Sequence, residues 1–328
     1  MKTANKQPKV SVSIITYNHE DYLAECLESI VTQECDFSFE VVVGEDCSTD
    51  ATRDVLKQYV HNYPKLIVPI YQKSNVGWQQ NYIDVLKKCK GEYIAHIDGD
   101  DCALADKLQK QVDFLDKHQE CSMVFHNAQI FGENIKKNAY NNPLQEESCI
   151  IDINKFVQIG VPHWNNSSKM FRKKSLKNFE FVKNLHCIGD QYLHLESAKE
   201  GKIAYIAEVL GKYRKHENGF STRNKQKDRI SCALRDILVV YNNAYRYGVK
   251  KDIVDKRLAF VYFDVACQYL VLKAYDEFRE CMEKSYENKI FFNKNHKLCF
   301  YLKKFPHVLY TLKILNSLIY RLKGKQKI

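Results

Sequence analysis

The stretch GEYIAHIDGDD, residues 91–101, places three aspartates within four positions, directly after an apolar and aromatic run. The run YIAHI (93–97) is typical of a buried strand, whereas carboxylates are costly to bury without a partner. Two carboxylates one residue apart, as in Asp98 and Asp100, can hold a hard divalent cation that keeps further coordination positions for phosphate oxygens. The stretch therefore predicts a strand that ends at a metal and phosphate site.

Upstream of this stretch, hydrophobic residues alternate between the strand period and the helix period. Strands are predicted over 9–16, 39–44, 66–71 and 93–97, and Pro69 assigns the third of them to a sheet edge. The helices between them are predicted around 23–31, from the apolar residues of 55–60, and over 78–89. Strands that alternate with helices at this spacing indicate an α/β fold, a mainly parallel sheet with helices on its faces.

Polar clusters follow all four predicted strands. They read TYNHED, EDCSTD, SNVG and DGDD in chain order. Ligands of such sheets bind beyond the carboxyl ends of the strands, where the loops meet. We therefore expect one site assembled from four loops.

The remaining chain divides into an irregular part and a helical part. Short strands are predicted at SMVFH, KIAYI and VLGKYR, and a helix is predicted to open at Gly189 and Asp190. The polar segment ENGFSTRNKQKDR (217–229) is typical of a boundary, and the residues beyond it read as helices. We predict a catalytic domain over 1–222 and a helical C-terminal region over 223–328.

Charge and cysteine content exclude several protein classes. The net charge of +10 equals the ten basic residues of 288–328, a segment without Asp or Glu, so the body is neutral and a nucleic-acid partner is not indicated. The twelve cysteines form no CxxC pair, which favours reduced thiols. The N-terminus lacks a signal-peptide core and no apolar run spans a bilayer, so we expect a cytoplasmic protein.

From about Lys9 to Ser221 the sequence resembles the family 2 inverting glycosyltransferases of the GT-A fold. The resemblance rests on SIITYN, VVVGEDCSTDAT, SNVG, GEYIAHIDGDD, GDQYLHLESAKEG and YRKHENGFS, in the order and at the spacing of the family. It departs from the family where Gly189 precedes Asp190 in place of glutamate, and where Ala105 replaces a frequent proline.

The resemblance implies a role for each matching position. Tyr17 and Asn18 would line the pocket of the donor base, Asp46 would accept a hydrogen bond from that base, and Asp98 would contact the ribose side. Other implied roles are nucleotide binding by Asn75, metal binding by Asp100 and His216, proton abstraction by Asp190, and acceptor contacts by Trp164 and Asp101.

The reaction that the resemblance implies is transfer of a hexosyl or N-acetylhexosaminyl group with inversion. The donor would be a nucleotide-sugar, with UDP the expected nucleotide, and the cofactor would be Mn²⁺ or Mg²⁺. The acceptor would be a hydroxyl of a saccharide or lipid-linked saccharide, in the synthesis of a capsule, O-antigen or exopolysaccharide.

Structural interpretations of the same residues stay open. Asp98 and Asp100 could cap the following helix, Asp46 and Asp50 could be turn and cap residues, and Asp190 could be an N-cap. His216 could be a structural histidine, and Trp164 a core aromatic. The whole chain could be an inactive relative that binds nucleotide-sugars or acts as a scaffold. A nucleotidyltransferase is disfavoured, because TYNHEDY is neither glycine-rich nor basic.

The C-terminal tail carries one apolar stripe among lysines. Its members alternate in steps of four and three residues: Tyr301, Phe305, Val308, Leu312, Leu315, Ile319 and Leu322. Pro306 is predicted to divide the tail into two helices. The stripe could pack on the body, on the second subunit of a homodimer, or on the anionic cytoplasmic face of the membrane.

Overall fold

The computed structural model describes residues 7–133, 135, 139–140, 147–160, 164–217, 219, 227–287, 289 and 291–311. The chain forms two compact units. The first comprises Met1–Asp152, His163–Leu185 and Gly189–Thr222, and the second comprises Ile153–Pro162, His186–Ile188 and Arg223–Ile328.

The first unit begins with the predicted alternation of strands and helices. The elements are β1 (Val10–Thr16), α1 (Leu23–Val31), β2 (Phe39–Glu45), α2 (Thr52–Asn62), β3 (Ile67–Tyr71), α3 (Gly77–Lys88) and β4 (Tyr93–Asp98). Strand β1 pairs in parallel with β2 and β4, and β2 pairs in parallel with β3, which lies at the sheet edge as Pro69 predicts. The four predicted strands and the first and third helices are confirmed to within one residue, and α2 contains the predicted apolar residues of 55–60.

Later elements extend the sheet. They are β5 (Cys102–Ala103), α4 (Lys107–Lys117), β6 (Cys121–Gly132), β7 (Cys149–Ile151), α5 (Ile153–Ile159) of the second unit, β8 (Met170–Arg172), α6 (Gly189–Glu200) and β9 (Lys202–Lys215), with 3₁₀ turns at Asn166–Ser168, Lys173–Ser175 and Phe179–Asn184. The strand order is β3-β2-β1-β4-β8-β6-β9-β5, with β7 beside β9. Because β8 is antiparallel to β4 and β6, the sheet is mixed.

Strand β9 corrects one prediction. KIAYI and VLGKYR are one continuous strand rather than two, and the polar residue between them, Glu208, lies in a bulge. Ile206 pairs with His126 and Gly211 pairs with Ala128, so the chain advances five residues along β9 while it advances two along β6. The bulge thus accommodates Glu208, which interrupts the hydrophobic pattern, within one continuous strand.

The core strands are buried on both faces, and their polar side chains pair with one another. Val10, Val12 and Ile14 belong to the hydrophobic core below β1. The alternate residues Ser11 and Ser13 are also buried, and they hydrogen-bond Glu40 at 2.7 Å and His96 at 2.8 Å. Burial on both faces is the rule for parallel strands, and the polar positions are tolerated because each has a partner.

The second unit is helical. Besides α5 it contains α7 (Lys227–Arg246), α8 (Lys251–Val271), α9 (Tyr275–Lys284), α10 (Lys294–Tyr301) and α11 (Pro306–Thr311). Pro306 opens α11, which confirms the predicted division of the tail. Leu312, Leu315, Ile319 and Leu322 of the predicted stripe lie outside the described residues. Among the helices that are described, none combines the length and the hydropathy needed to cross a bilayer.

Candidate active site

The register of the parallel strands brings their carboxyl ends to one level. Thr16 of β1 lies opposite Glu45 of β2, and Ile15 of β1 lies opposite Asp98 of β4. The loops after these three strands therefore begin side by side, as predicted for a site beyond the carboxyl ends.

The loop after β1 is joined to the loop after β2 by Asn18. Its backbone adopts a positive φ of 54°, its N–H donates to Ser48 Oγ at 3.0 Å, and its Oδ1 accepts from the Thr49 N–H at 2.9 Å. Asparagine tolerates this left-handed conformation better than most residues. Tyr17 beside it is 41% exposed, so its ring is open to solvent at the edge of the site.

Asp46 lies at the start of helix α3. Its Oδ1 accepts from the Val76 N–H at 2.7 Å and its Oδ2 from the Gly77 N–H at 3.0 Å, while Asn75 Nδ2 donates to the Asp46 carbonyl at 3.3 Å. Burial raises the pKa of Asp46, and the two backbone donors act against that shift. In this structure both carboxylate oxygens serve the helix terminus, the capping role that the sequence left open.

Asp98, at the end of β4, is surrounded by donors. His96 Nε2 lies 3.1 Å from its Oδ1, Asn166 Nδ2 donates to its Oδ2 at 3.2 Å, and the Asp98 N–H donates to Ser167 Oγ at 2.9 Å. Burial alone would raise the pKa of Asp98, but the hydrogen bonds from His96 and Asn166 hold it below its ordinary value. The carboxylate is therefore ionised and fixed in orientation.

Asp100 and His216, the two predicted metal ligands, lie side by side. His216 Nε2 is 3.0 Å from Asp100 Oδ2, and the imidazole is buried against the ring of Tyr22, with 4.6 Å between ring centroids. Adjacent ligands of an octahedral ion with bonds of 2.0–2.1 Å are about 2.9 Å apart, so this pair fits a divalent cation. His216 Nδ1 is buried and has no hydrogen-bond partner among the described residues.

Arg214, two residues before His216 on β9, holds the backbone of the Asp100 loop. Its Nε donates to the Asp100 carbonyl at 2.8 Å, its guanidinium pairs with Glu25, and it packs over Tyr22 at 4.8 Å. Arg214, which orients Asp100, thus lies at the end of β9 that leads into His216.

Asp101 corrects the predicted acceptor contact. It is fully buried, its Oδ2 accepts from Ser167 Oγ at 2.5 Å, and its Oδ1 accepts from the Arg214 N–H at 2.8 Å. Burial, followed by repulsion from Asp100 and Asp98, raises the pKa of Asp101 well above its ordinary value. A carboxyl group enclosed in this way supports the loop rather than facing an acceptor.

Asp190 lies in the first turn of α6, the helix that the sequence predicts to open at Gly189 and Asp190. Burial raises the pKa of Asp190, and the positive charge of Lys169 opposes that shift. Lys169 is itself fully buried, with its ammonium bonded to Asn166 Oδ1 and 5.4 Å from the centre of the Tyr82 ring. Burial lowers the pKa of Lys169 to about 8, and Asp190 and Asp98 act against the shift.

Trp164 is 6% exposed. Its ring stacks on Tyr205 with 5.3 Å between centroids and packs against Phe125 at 5.0 Å. The structure therefore favours the core-aromatic interpretation over an open stacking platform for an acceptor sugar.

Sequence reasoning missed several of the residues that surround the aspartates. His96 could have been found, because it lies two positions before Asp98 on a strand and so points to the same face. Lys169, Asn166 and Ser167 could not, because HWNNSSKM has no clear period and only the tertiary fold brings it to β4.

Comparison with known proteins gives a consistent picture. Residues 11–179, which are 169 of the 328, match the family described as Glycosyl transferase family 2. EpsE of Bacillus subtilis, which carries a glycosyltransferase name, is 32% identical over 245 residues, 74% of this chain and 84% of EpsE. An uncharacterised protein of Mycobacterium tuberculosis is 34% identical over 211 residues, 64% of this chain, and the match spans 60% of that relative's length.

Two solved structures share the fold. TarS of S. aureus, residues 1–349 in complex with UDP-GlcNAc, superposes with a TM-score of 0.66 at 19% identity, covering 97% of this chain and 93% of the TarS chain. The mannosyltransferase PcManGT of Pyrobaculum calidifontis, in complex with GDP-Man and Mn²⁺, gives 0.57 at 16% identity, covering 94% and 87%. The mixed sheet flanked by helices is thus the GT-A glycosyltransferase fold.

Proposed function

The chain belongs to glycosyl transferase family 2, and from that premise we propose that it moves a sugar from a nucleotide-diphosphate donor to a hydroxyl of a saccharide or lipid-linked saccharide. The observation that carries the proposal is the contact of Asp100 with His216 at 3.0 Å, beyond the strand that also positions Asp98. An inactive binding or scaffold protein would have no need of this pair together with Asp190.

In the proposed site the donor nucleotide lies over the loops after β1, β2 and β4. The exposed ring of Tyr17 and the side chain of Asn18 contact the base, and Asn75 lies near them through its bond to Asp46. Each oxygen of Asp46 accepts one backbone hydrogen bond and keeps a second lone pair, so Asp46 can accept from the base while it holds the start of α3. Asp98, ionised and fixed, accepts from the ribose.

Asp100 and His216 would hold the divalent cation, Mn²⁺ or Mg²⁺, and the Asp100 carboxylate is a ligand type suited to either ion. When bound, the ion supplies Lewis-acid stabilisation of the negative charge that develops on the departing diphosphate. Arg214 keeps the Asp100 backbone in place and so preserves the spacing of the two ligands.

Asp190 acts as the general base. As the acceptor oxygen attacks the anomeric carbon, its proton passes to the Asp190 carboxylate, the new carbon–oxygen bond forms, and the sugar–phosphate bond breaks. Attack from the face opposite the diphosphate inverts the anomeric centre. Lys169 stabilises the ionised form of Asp190 and thereby keeps it able to accept the proton.

The names of the relatives support the choice of donor and pathway class. UDP-GlcNAc is bound in TarS, and GDP-Man with Mn²⁺ is bound in PcManGT. EpsE and the teichuronic acid biosynthesis protein TuaG of Bacillus subtilis are both named as glycosyltransferases. We therefore propose a UDP-sugar donor and a role in the synthesis of a bacterial surface polysaccharide, with 1–222 as the catalytic domain.

The first experiment measures the melting temperature of the full chain with UDP, GDP, CDP or dTDP, each with Mn²⁺ and with EDTA. A nucleotide that binds the native state raises the free energy of unfolding, by about 2.7 kcal/mol at a concentration of one hundred times Kd. The melting temperature rises with it. We expect a shift with UDP that EDTA and the Asp100→Asn variant abolish. No shift with any nucleotide, from folded protein, contradicts the proposal.

The variant Asp190→Asn separates an enzyme from a binding protein. It should keep the UDP and Mn²⁺ shift while the rate of UDP release from the sugar donor falls by about 10²–10⁴. The exposed Asp54→Asn serves as the matched control. If Asp190→Asn leaves turnover unchanged, Asp190 is not the base.

We further propose that the protein works on the cytoplasmic face of the membrane, held there by its C-terminal helices. Five large apolar side chains of this region are exposed, namely Leu298, Tyr301, Phe305, Val308 and Tyr310. Between 288 and 328 the chain has basic residues but no acidic ones. Exposed aromatic groups among lysines suit an anionic lipid surface, where a lipid-linked acceptor would be found.

A further inference from the structure

Three potential metal ligands meet in the helical unit, away from the Asp100 and His216 pair in sequence. Cys232 and Asp236 are four residues apart on α7 and so share one face of that helix. The segment His186–Ile188 of the same unit brings Cys187 to them. The two Sγ atoms and a carboxylate oxygen all lie within 4.8 Å of one another.

The cluster is held together by backbone hydrogen bonds. Asp236 is 4% exposed, and its Oδ2 accepts from the N–H of Cys187 at 2.6 Å and from that of Ile188 at 3.3 Å. These bonds fix the backbone that carries Cys187 against α7, so the three donors are brought together before any ligand arrives. Cys187 and Cys232 are both free cysteines, so they are available as ligands.

The charges around the cluster suit a divalent cation. Burial, followed by the contact with Cys232, raises the pKa of Cys187 to about 12, and the positive charge of Arg229, on the same face of α7 as Cys232 and Asp236, opposes that shift. Once deprotonated by metal binding, the two thiols and the carboxylate would carry three negative charges. A divalent ion together with Arg229 would leave the cluster neutral.

We propose that Cys187, Cys232 and Asp236 bind a thiophilic divalent metal ion, Zn²⁺ by ligand type. Zinc takes thiolate at about 2.3 Å and carboxylate at about 2.0–2.2 Å in tetrahedral geometry, which sets the sulfurs roughly 3.8 Å apart. The observed separations need a closure of at most about 1 Å to reach this value. Water completes the fourth position.

Metal binding here differs in chemistry from the proposed catalytic site. Each cysteine gives up its proton when its sulfur coordinates the ion, so binding releases two protons and strengthens as pH rises. The oxygen and nitrogen donors of Asp100 and His216 provide no thiolate. A spectroscopic signal from sulfur ligation therefore does not come from the Asp100 and His216 pair.

The test uses the full chain, reduced and stripped of metal, titrated with Co²⁺ in the absence of oxygen. We expect a thiolate-to-cobalt charge-transfer band that Zn²⁺ abolishes by displacing the cobalt. Cys232→Ser should remove the band, and Asp236→Asn, which keeps an oxygen acceptor for the backbone, should weaken Co²⁺ affinity at least tenfold. The control Cys35→Ser, a partly buried thiol of the other unit, should leave the band unchanged.

The proposal is overturned if wild-type protein shows no band, if the band persists in Cys232→Ser, or if mass spectrometry finds Cys187 and Cys232 joined as a disulfide under the reducing conditions used. Equal melting temperatures of the metal-free variants establish that each is folded. The UDP and Mn²⁺ shift, measured on the same samples, fails or succeeds independently and tests the catalytic site.

Discussion

Lys169 is the residue whose charge matters most for the proposed base. It is fully buried, interacts with both Asp190 and Asp98, and holds Asn166, which in turn donates to Asp98. A buried lysine of this kind costs free energy unless its charge is compensated, and the two aspartates compensate it. Lys169 therefore links Asp98, the proposed ribose contact, to Asp190, the proposed base.

We predict that Lys169→Met moves the acidic limb of the pH–rate profile upward by about one pH unit. Lys169 opposes the burial that raises the pKa of Asp190, so its removal lets that pKa rise and leaves less ionised base at a given pH. The measurement is kcat/KM against pH.

The exposed Lys174→Met provides a control of matched chemistry, and its profile should coincide with that of the wild type. An unchanged acidic limb in Lys169→Met, with turnover retained, would show that Lys169 does not act on the base.

At the scale of the element, prediction from sequence succeeded where one hydrophobic period controlled a whole segment. Strands β1 to β4 and helices α1 to α3 each keep a single period, and all were predicted. The prediction for β9 was wrong because Glu208 interrupts its hydrophobic pattern, and the strand is continuous through its pairing with β6.

The candidate site was likewise predicted only in part from the sequence. Aspartates that end a strand are visible in the sequence, but the partners that hold them are not. Asn166, Ser167 and Lys169 reach β4 across about seventy residues, and the burial of Asp101 depends on the backbone of β9. Such contacts are set by the tertiary fold and leave no local period.

Helix α10 gives the second unit a pH-sensitive point. Burial lowers the pKa of His296 from 6.5 to about 4, and its ring lies among Phe263, Phe291 and Phe292 with Nε2 2.9 Å from Ser285 Oγ. Between pH 6.5 and about 4, His296 is therefore protonated in the unfolded chain but neutral in the folded chain. Stability is therefore lost as pH falls from 6.5 towards 4.

We expect His296→Gln to reduce this loss by roughly 2 kcal/mol across that window, because glutamine does not titrate. Urea unfolding of wild type and variant at pH 7, 5.5 and 4.5, followed by helical circular dichroism, gives the measurement. The exposed His61→Gln should keep the wild-type slope. A parallel pH dependence in wild type and His296→Gln would assign the acid sensitivity to other groups.

For the whole molecule, the uneven charge distribution predicts where the protein resides in the cell. The ten basic residues of 288–328 account for the entire net charge, and the described part of this region exposes Tyr301 at 64% and Phe305 at 58%. A basic C-terminal segment with exposed aromatic side chains is suited to binding at an anionic surface.

The double variant Tyr301→Ser and Phe305→Ser should lower co-sedimentation of the full chain with phosphatidylserine-containing vesicles at least fivefold, while activity on a soluble acceptor persists. Phe181→Ser, which removes an exposed phenylalanine of the first unit, serves as the control. Wild-type binding to neutral and anionic vesicles alike, or to neither, would refute the electrostatic part of the membrane proposal.

The bulge in β9 also constrains how this chain can vary in length. Between Ile206 and Gly211 the strand carries three more residues than β6 does over the paired interval, an odd number. Because successive side chains of a regular strand point to opposite faces, this odd excess would reverse every later side chain unless the bulge reset the alternation, and the regular pairing of Arg214 with Phe131 shows that it does. Relatives that keep the site should therefore vary in the composition and length of this segment, provided that the pairing from Gly211 onward is kept.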